Sequence, residues 1–181
     1  MWTASTRRGR VQCAMKTVLI VCHANTARSV MAQVMLEHFL RERGVHGCVR
    51  IRSGGVARYA RDGMLPSLDA KIALRDLGLE VAESLVSTDL RQHPERVAEA
   101  ALIVTMTDEQ KAIIASSYPE VRDTPVVTLR ELAGEAGDIA DPVGQSEEGF
   151  RACRVEIHRC LSLALDRLVA WASSADGLRK T

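Results

Sequence analysis

Short apolar runs alternate with amphipathic segments along most of the chain. Four runs rich in β-branched residues predict strands, and they cover 17–22, 48–55, 101–107 and 124–129. The first of them, TVLIVC, shows no alternation of apolar and polar positions, which is typical of a strand buried on both faces of a parallel sheet. The intervening segments carry apolar residues three or four positions apart, and that spacing predicts helices packed against the sheet.

The first two predicted helices end at glycines. Residues 29–43 form the first helix, with arginines in its last turn and Gly44 directly after it. The second helix follows Pro66 and ends at Gly78. Glycine readily adopts the left-handed backbone conformation that commonly closes a helix, so both ends are well marked.

Two more helices are predicted in the second half of the chain. Thr107 and Gln110 predict a capping box at the start of one helix, and Pro119 ends it. The charged segment 91–96 is either a loop or the start of a helix. A long last helix begins near Ser146, and its apolar face carries Phe150, Cys153, Ile157, Cys160, Leu161, Ala164 and Leu168.

Because strands and helices alternate, the sequence predicts an α/β fold. We expect a single doubly wound domain with a four-stranded parallel sheet flanked by helices. Ligands bind such sheets beyond the carboxyl ends of the strands, and Cys22 ends the first strand, so a phosphate-binding loop is expected there. The domain is predicted to cover 15–174, between a disordered N-terminal extension at 1–14 and a C-terminal tail at 175–181.

The composition argues against several classes of partner. The 181 residues carry a net charge of +1, from 24 Lys and Arg against 23 Asp and Glu, which gives no electrostatic reason to expect nucleic acid or an anionic membrane. No apolar segment approaches the roughly 20 residues that span a bilayer. We therefore expect no nucleic-acid partner, no membrane partner and a monomer or weak dimer.

The cysteines and histidines do not form metal-binding patterns. The five cysteines, at 13, 22, 48, 153 and 160, are an odd number whose spacing matches neither a zinc site nor a disulfide framework. A reducing, cytoplasmic compartment is the simplest interpretation. The histidines outside the first loop likewise lack the spacing of metal ligands, so no metal site is predicted.

The segment CHANTARS, from Cys22 to Ser29, supplies the chemistry of an anion site. Successive backbone N–H groups ahead of a helix N-terminus form a cradle for a phosphoryl group, and Arg28 adds a bidentate guanidinium. The same positive field favours the thiolate of Cys22, which would be a nucleophile directed at phosphorus. The predicted phosphate-binding residues are Arg28 and the loop residues His23, Ala24, Asn25, Thr26 and Ala27.

Two residues are expected to support this loop. Asn25 tolerates the left-handed conformation that a tight loop needs, and the Ser29 hydroxyl can donate to the thiolate. The His23 side chain is expected to point away from the phosphate. The competing interpretation is that Cys22 is a buried structural cysteine.

The bare pattern of a cysteine, five intervening residues and an arginine is weak evidence. The segment CRVEIHR at 153–159 shows the same pattern on the apolar face of the last predicted helix. No backbone amides are free in the middle of a helix, so Cys153 is expected to pack in the core. A strand before and a helix after distinguish the copy at Cys22.

The loop and a second, distant motif resemble the low-molecular-weight protein tyrosine phosphatase family. That family carries Cys-x-Gly-Asn-x-Cys-Arg-Ser after its first strand and an Asp-Pro pair before its last helix, where this chain has Asp141 and Pro142. The resemblance implies a phosphatase that needs no metal or other cofactor. It also implies that Cys22 is the nucleophile, that Arg28 binds phosphate and stabilises the transition state, and that Asp141 is the general acid.

Three residues depart from the family's loop. Ala24 replaces a glycine, Ala27 replaces the second cysteine and Val30 replaces a proline. Without a neighbouring cysteine to form a protective disulfide, oxidation of Cys22 should proceed more readily to irreversible acids. Two further functions stay open: a carrier that holds phosphocysteine without hydrolysing it, and an inactive domain that only binds phosphate.

The sequence must also indicate which side chain carries the phosphate, arginine or tyrosine. Val143 stands where the tyrosine phosphatases tend to have an aromatic residue, and Tyr59 could form one wall of a substrate slot. Thr26 matches the bacterial protein arginine phosphatases, the branch that the chain resembles most. Asp141 could also pair with a guanidinium leaving group. We expect a phosphorylated protein as the substrate, with phosphoarginine preferred and phosphotyrosine as the alternative.

Overall fold

The structure, a computed structural model, describes residues 14–174. The predicted N-terminal extension, apart from Ala14, and the predicted C-terminal tail lie outside these residues. Four strands form one parallel sheet in the order β2-β1-β3-β4: β1 (Lys16–Cys22), β2 (Val49–Gly55), β3 (Leu102–Thr105) and β4 (Val126–Thr128). The α-helices are α1 (Arg28–Glu42), α2 (Leu68–Arg75), α3 (Pro94–Ala98), α4 (Asp108–Ser117), α5 (Leu129–Leu132) and α6 (Glu147–Ser173).

The predicted doubly wound fold is confirmed by how β1 is buried. Its alternate residues contribute to two separate hydrophobic clusters, with Val18 and Ile20 in one and Leu19 and Val21 in the other. The first cluster includes residues of α1 and α6, and the second includes Ile114 of α4. Because both faces of β1 are covered, an unbroken apolar run was the correct signal for this strand.

The helix boundaries follow the sequence signals closely. Gly44 and Gly78 both have φ of +70°, in the left-handed region, as expected for residues that follow helices. The first helix covers 28–42 instead of 29–43. Segment 91–96 contains the start of α3, so the helical alternative was the correct one.

The capping box predicted at Thr107 is only half formed. The Thr107 hydroxyl accepts from the Gln110 N–H at 3.2 Å, but the Gln110 side chain accepts from the Met106 N–H instead of that of Thr107. A complete capping box occurs at Thr128 and Glu131, where it starts α5. This box ends β4 one residue earlier than the apolar pattern predicts.

The long last helix closes one face of the sheet. All seven apolar residues expected on its inner face are buried. Since α6 begins at Glu147, the loop that carries Asp141 runs along the carboxyl edge of the sheet before the helix starts. Within residues 14–174, no helix is long and apolar enough to cross a bilayer.

Candidate active site

The loop between β1 and α1 presents an uncapped helix N-terminus to the carboxyl edge of the sheet. Cys22 is the last residue of β1 and Arg28 is the first of α1. Between them Asn25 has φ of +59°, the left-handed conformation expected for it. Among residues 14–174, no side chain caps α1, and its first turn carries no acidic residue. The positive end of the helix is therefore available to an anion.

The hydrogen bonding of the loop leaves three of its amide groups unused among the described residues. Three loop carbonyls accept from amides in the segment that follows β2: those of Cys22, His23 and Thr26 accept from Val56, Ala57 and Ser67 at 3.1, 3.0 and 2.9 Å. Among the described residues, no hydrogen bond uses the amide N–H of Ala24, Thr26 or Ala27. The carbonyls thus fix the loop to its neighbours while these N–H groups stay available as donors.

The sulfur of Cys22 has polar neighbours although it is buried. Its Sγ lies 3.0 Å from the Ser29 hydroxyl and accepts from the Asn25 N–H at 3.3 Å. The thiol is free. Cys22 thus combines membership of the hydrophobic cluster that contains α1 and α6 with polar contacts in the loop, and its role as a nucleophile stays a prediction.

Asn25 connects the loop to two other segments. Its side-chain amide donates to the hydroxyls of Ser29 at 2.9 Å and Ser53 at 2.8 Å, and its carbonyl oxygen accepts from the Thr88 N–H at 2.9 Å. Ser53 in turn donates to the Gln33 side chain at 2.6 Å. Ser53, Gln33 and Thr88 were not predicted from the sequence. A serine directly before two glycines at the end of β2 was the available signal for this network.

Gly55 allows the loop to approach β2. It pairs with Cys22 in the sheet register. A Cβ atom at this position would lie 2.7 Å from the carbonyl oxygen of His23 and 2.9 Å from the carbonyl carbon of Ala24. Since both atoms belong to the backbone, only glycine fits here without displacing the loop.

The structure brings Asp141 to Arg28. The Arg28 guanidinium is buried, donates from Nη1 to the Ile139 carbonyl at 2.9 Å and donates from Nη2 to Asp141 Oδ2. The other oxygen of Asp141 accepts from the Val143 N–H at 3.1 Å. Cys22, Arg28 and Asp141, the three residues with predicted chemistry, therefore belong to one site.

The His23 side chain does not point away as expected. Its Nδ1 lies 3.3 Å from Arg28 Nη2 and 3.6 Å from Asp141 Oδ2, and its Nε2 lies 3.5 Å from a carboxylate oxygen of Glu109 on α4. The expectation was wrong because a loop sequence does not define side-chain direction. The ring is held by charged groups from three other segments.

The three predicted specificity residues surround this site. Thr26 is partly exposed in the loop. Tyr59 is 62% exposed and lines a cavity of about 640 Å³ together with His23 and Glu109. Val143 is 66% exposed and contacts Asp141 through its N–H group. The cavity next to the loop thus has one aromatic wall from the residues that the sequence analysis singled out.

The second copy of the cysteine and arginine pattern is structural, as predicted. Cys153 is buried in the core, and this burial raises the pKa of its thiol to about 12. Arg159 donates to the carboxylates of Glu135 and Glu156. Its guanidinium is therefore committed to an ion-pair network within the helix layer.

One cluster has the composition of a metal site. Ligand atoms of Glu135, Glu156 and Cys160 lie within 4.8 Å of one another. The two carboxylates already form ion pairs with Arg130 and Arg159, and burial raises the pKa of the Cys160 thiol to about 11. The cluster is therefore an ion-pair network and not an open set of ligands.

Known proteins match most of the chain. A family model for low molecular weight phosphotyrosine protein phosphatase matches residues 17–170. A protein-arginine-phosphatase of Geobacillus stearothermophilus is 33% identical over 151 residues, which cover 83% of this chain and 95% of that protein. The low molecular weight protein-tyrosine-phosphatase PtpB of Staphylococcus haemolyticus is 30% identical over 134 residues, 74% of this chain and 86% of that protein. The solved structure of the YwlE arginine phosphatase from Geobacillus stearothermophilus superimposes with a TM-score of 0.74 at 33% identity, over 86% of this chain and 94% of that chain.

Proposed function

Because this chain belongs to the low molecular weight phosphotyrosine protein phosphatase family, we propose that it removes phosphate from phosphoarginine in proteins through a cysteinyl-phosphate on Cys22. The observation that carries this proposal is the convergence of Cys22, Arg28 and Asp141 around a loop with unused amide donors. The similarity to arginine phosphatases supports the choice of substrate.

In the first step the Cys22 thiolate attacks phosphorus and forms the S–P bond. The amides of Ala24, Thr26 and Ala27, together with Arg28, are placed to bind the phosphoryl oxygens and to stabilise charge in the transition state. Asp141 gives its proton to the leaving nitrogen of the guanidino group as the P–N bond breaks. A poor leaving group needs this proton, so the step depends on a carboxylic acid beside Arg28.

In the second step water replaces the sulfur. The Asp141 carboxylate accepts a proton from the water as its oxygen bonds to phosphorus. The S–P bond breaks, phosphate leaves and the Cys22 thiolate is restored. The Ser29 hydroxyl, 3.0 Å from the sulfur, can donate to the thiolate as it departs.

The charges around the site support phosphoarginine as the substrate. Asp141 and Glu109 both lie beside His23, so two carboxylates line the approach that a cationic guanidinium would use. Thr26 is the loop residue that matches the arginine phosphatases. Val143 supplies no aromatic ring to stack on a phenyl group.

Phosphotyrosine is the second candidate. The exposed ring of Tyr59 on the neighbouring cavity is the observation that favours it, because an aromatic wall suits a phenyl ring. The relative named protein-tyrosine-phosphatase also supports it.

A phosphocysteine carrier and an inactive phosphate-binding domain are less well supported. A carrier that only holds phosphocysteine needs no general acid, whereas Asp141 lies directly against Arg28. An inactive domain was suggested by Ala24 and Ala27. Both alanines are nevertheless compatible with a loop whose amide donors stay unused among the described residues.

Paired peptides carrying phosphoarginine or phosphotyrosine in the same sequence test the proposal. We expect kcat/KM to favour phosphoarginine by at least about tenfold, a difference of about 1.4 kcal/mol. Activity should persist with a chelator and be lost in Cys22→Ser. Preference for phosphotyrosine would select the second candidate. Phosphate binding without any turnover would select the inactive domain, and trapped phosphocysteine would select the carrier.

We also infer that the enzyme works in the cytoplasm as a monomer or weak dimer, without a nucleic-acid partner. Its nucleophile must stay reduced, which favours a reducing compartment. The cysteine spacing did not predict that Cys48 is disulfide-bonded in the structure, and this bond is evidence on the other side. The net charge of +1 offers no electrostatic basis for binding nucleic acid. Sedimentation velocity and thiol trapping in cells measure the oligomeric state and the oxidation state of Cys22.

A further inference from the structure

The His23 ring is placed among three charged side chains from different parts of the fold. Arg28 lies at the start of α1, Glu109 lies on α4 and Asp141 lies in the loop before α6. The ring nitrogens are 3.3 to 3.6 Å from atoms of these groups. His23 itself is in the loop that is proposed to hold the phosphoryl group.

The contacts define which nitrogen of the ring carries hydrogen. Arginine has only donors, so Nδ1 can bond to Arg28 Nη2 only as an acceptor. The hydrogen of a neutral ring then belongs to Nε2, which faces the Glu109 carboxylate at 3.5 Å. Arg28 Nη2 has two hydrogens, one for His23 and one for Asp141. His23 and the Ile139 carbonyl together set the orientation of the guanidinium.

A proton on His23 Nδ1 would remove the acceptor that this nitrogen offers to Arg28. The Nδ1 atom would become a donor, and two cations would face each other across 3.3 Å. The acceptor available to it is Asp141 Oδ2 at 3.6 Å. Asp141 Oδ2 would then accept from two cations, Arg28 and His23, whereas a general acid must carry a proton that it can donate.

The surroundings of the ring contain further charged and titratable groups. Cys22 precedes His23 in the chain. The titratable or charged groups that share the neighbouring cavity, in addition to Glu109, are Arg58, Tyr59, Arg91 and Tyr118.

We propose that His23 is a positioning residue of the active site: its neutral Nε2–H form orients Arg28 and leaves Asp141 free to donate a proton. This inference rests on the proposed phosphatase function. Because the ring must be neutral for this arrangement, a second proton on His23 makes the proton-donating step fail.

Two substitutions separate positioning from mere structural support. In His23→Asn the side-chain oxygen takes the place of Nδ1, so the acceptor for Arg28 is kept while titration is removed. His23→Leu removes both the acceptor for Arg28 and the ring that can take up a proton. At pH 8 we expect kcat on a phosphate ester with a poor leaving group to fall at least about tenfold in His23→Leu and clearly less in His23→Asn, with smaller changes in KM.

The pH dependence of kcat/KM is a measurement that a purely structural role of His23 would leave unchanged. From pH 8 to pH 5, the ratio of kcat/KM for His23→Asn to that for the native enzyme should rise at least about fivefold, because asparagine takes up no proton while every other titrating group is common to both proteins. An activated ester, which needs no proton, should show a much smaller rise. His46→Asn, on the exposed connection between α1 and β2, should give a flat ratio. A flat ratio for His23→Asn, or equal losses in both His23 variants at pH 8, would overturn the proposal.

Nitrogen-15 NMR of the ring tests the tautomer without turnover. Signals that disappear in His23→Asn belong to His23, and at pH 8 we expect an unprotonated Nδ1 and a protonated Nε2. A hydrogen on Nδ1 would overturn the proposal. If the native enzyme hydrolyses neither phosphoarginine nor a phosphate ester, the proposed function fails, and the NMR result still decides the question of His23.

Discussion

The Asp141 carboxylate accepts a hydrogen bond from the Arg28 guanidinium, although 113 positions separate the two residues. Arg28 is only 2% exposed and also donates to the Ile139 carbonyl, so its orientation is fixed. The phosphoryl group of a substrate needs the same guanidinium. Substrate and general acid therefore compete for one cation before the reaction begins.

This competition predicts opposite effects of Asp141→Asn on binding and on catalysis. Loss of the carboxylate should lower kcat at least about 100-fold on a poor leaving group, since general acid catalysis contributes roughly 10²–10⁴-fold. Inhibition by inorganic phosphate should become tighter, by up to about fivefold, because an ion pair with an exposed partner contributes at most about 1 kcal/mol. Steady-state kinetics with two leaving groups and a phosphate inhibition series measure both effects.

The matched control for this experiment is Asp138→Asn. Asp138 lies in the same loop and accepts from the Asp108 N–H at 2.9 Å. It should change neither the leaving-group dependence nor phosphate affinity. Equal rate losses on good and poor leaving groups in Asp141→Asn would remove Asp141 from the role of general acid.

Thr26 is predicted to influence the choice of substrate. Thr26→Ile should shift the ratio of kcat/KM for phosphoarginine and phosphotyrosine peptides toward tyrosine by about tenfold, because a larger apolar side chain changes the shape and polarity of the loop rim. Thr26→Ser keeps the hydroxyl and should leave the ratio near its native value. If both variants leave the ratio unchanged, Thr26 does not determine specificity.

Gly55 is predicted to be required for the shape of the loop. In Gly55→Ala the added methyl group would meet backbone atoms of His23 and Ala24 at 2.7 and 2.9 Å. We expect unfolding free energy to fall by about 1–3 kcal/mol, as for other overpacked sites, and phosphate inhibition to weaken. Gly47→Ala, where nothing lies within 4 Å of the added Cβ, is the control for urea unfolding. Matching results for the two variants would show that the loop accommodates the methyl group.

The two copies of the cysteine and arginine pattern should react differently with iodoacetamide. At pH 8, Cys22 should be alkylated and protected by phosphate, whereas Cys153 should stay unmodified in the folded protein. Burial raises the pKa of the Cys153 thiol from 9.0 to about 12, so the reactive thiolate forms only well above pH 9. Peptide mass spectrometry distinguishes the sites. Fast, phosphate-insensitive labelling of Cys153 would contradict its assignment to the core.

Most of the fold was determined by local patterns in the sequence. The unbroken apolar run of β1 required two covered faces, and the spacing of apolar residues in α6 selected its buried side. Glycines and proline marked helix ends because their backbone preferences are intrinsic. The capping box predicted at Thr107 is only half formed, because the Gln110 side chain accepts from the Met106 N–H. The complete box at Thr128 and Glu131 was not predicted.

The components of the site were also evident in the sequence. The strand before Cys22 and the helix after Arg28 separated this motif from its copy at Cys153, and the family resemblance pointed to Asp141. Their catalytic roles stay predictions until they are measured.

The tertiary structure alone decided which groups surround these residues. The register of β1 and β2 places Gly55 beside Cys22, and the folding of α4 toward the loop brings Glu109 to His23. These relations depend on how distant segments pack and on the direction of each side chain. A local sequence pattern predicts which residues are buried, and the residue types give their chemistry. It does not determine which distant residues become neighbours when the chain folds.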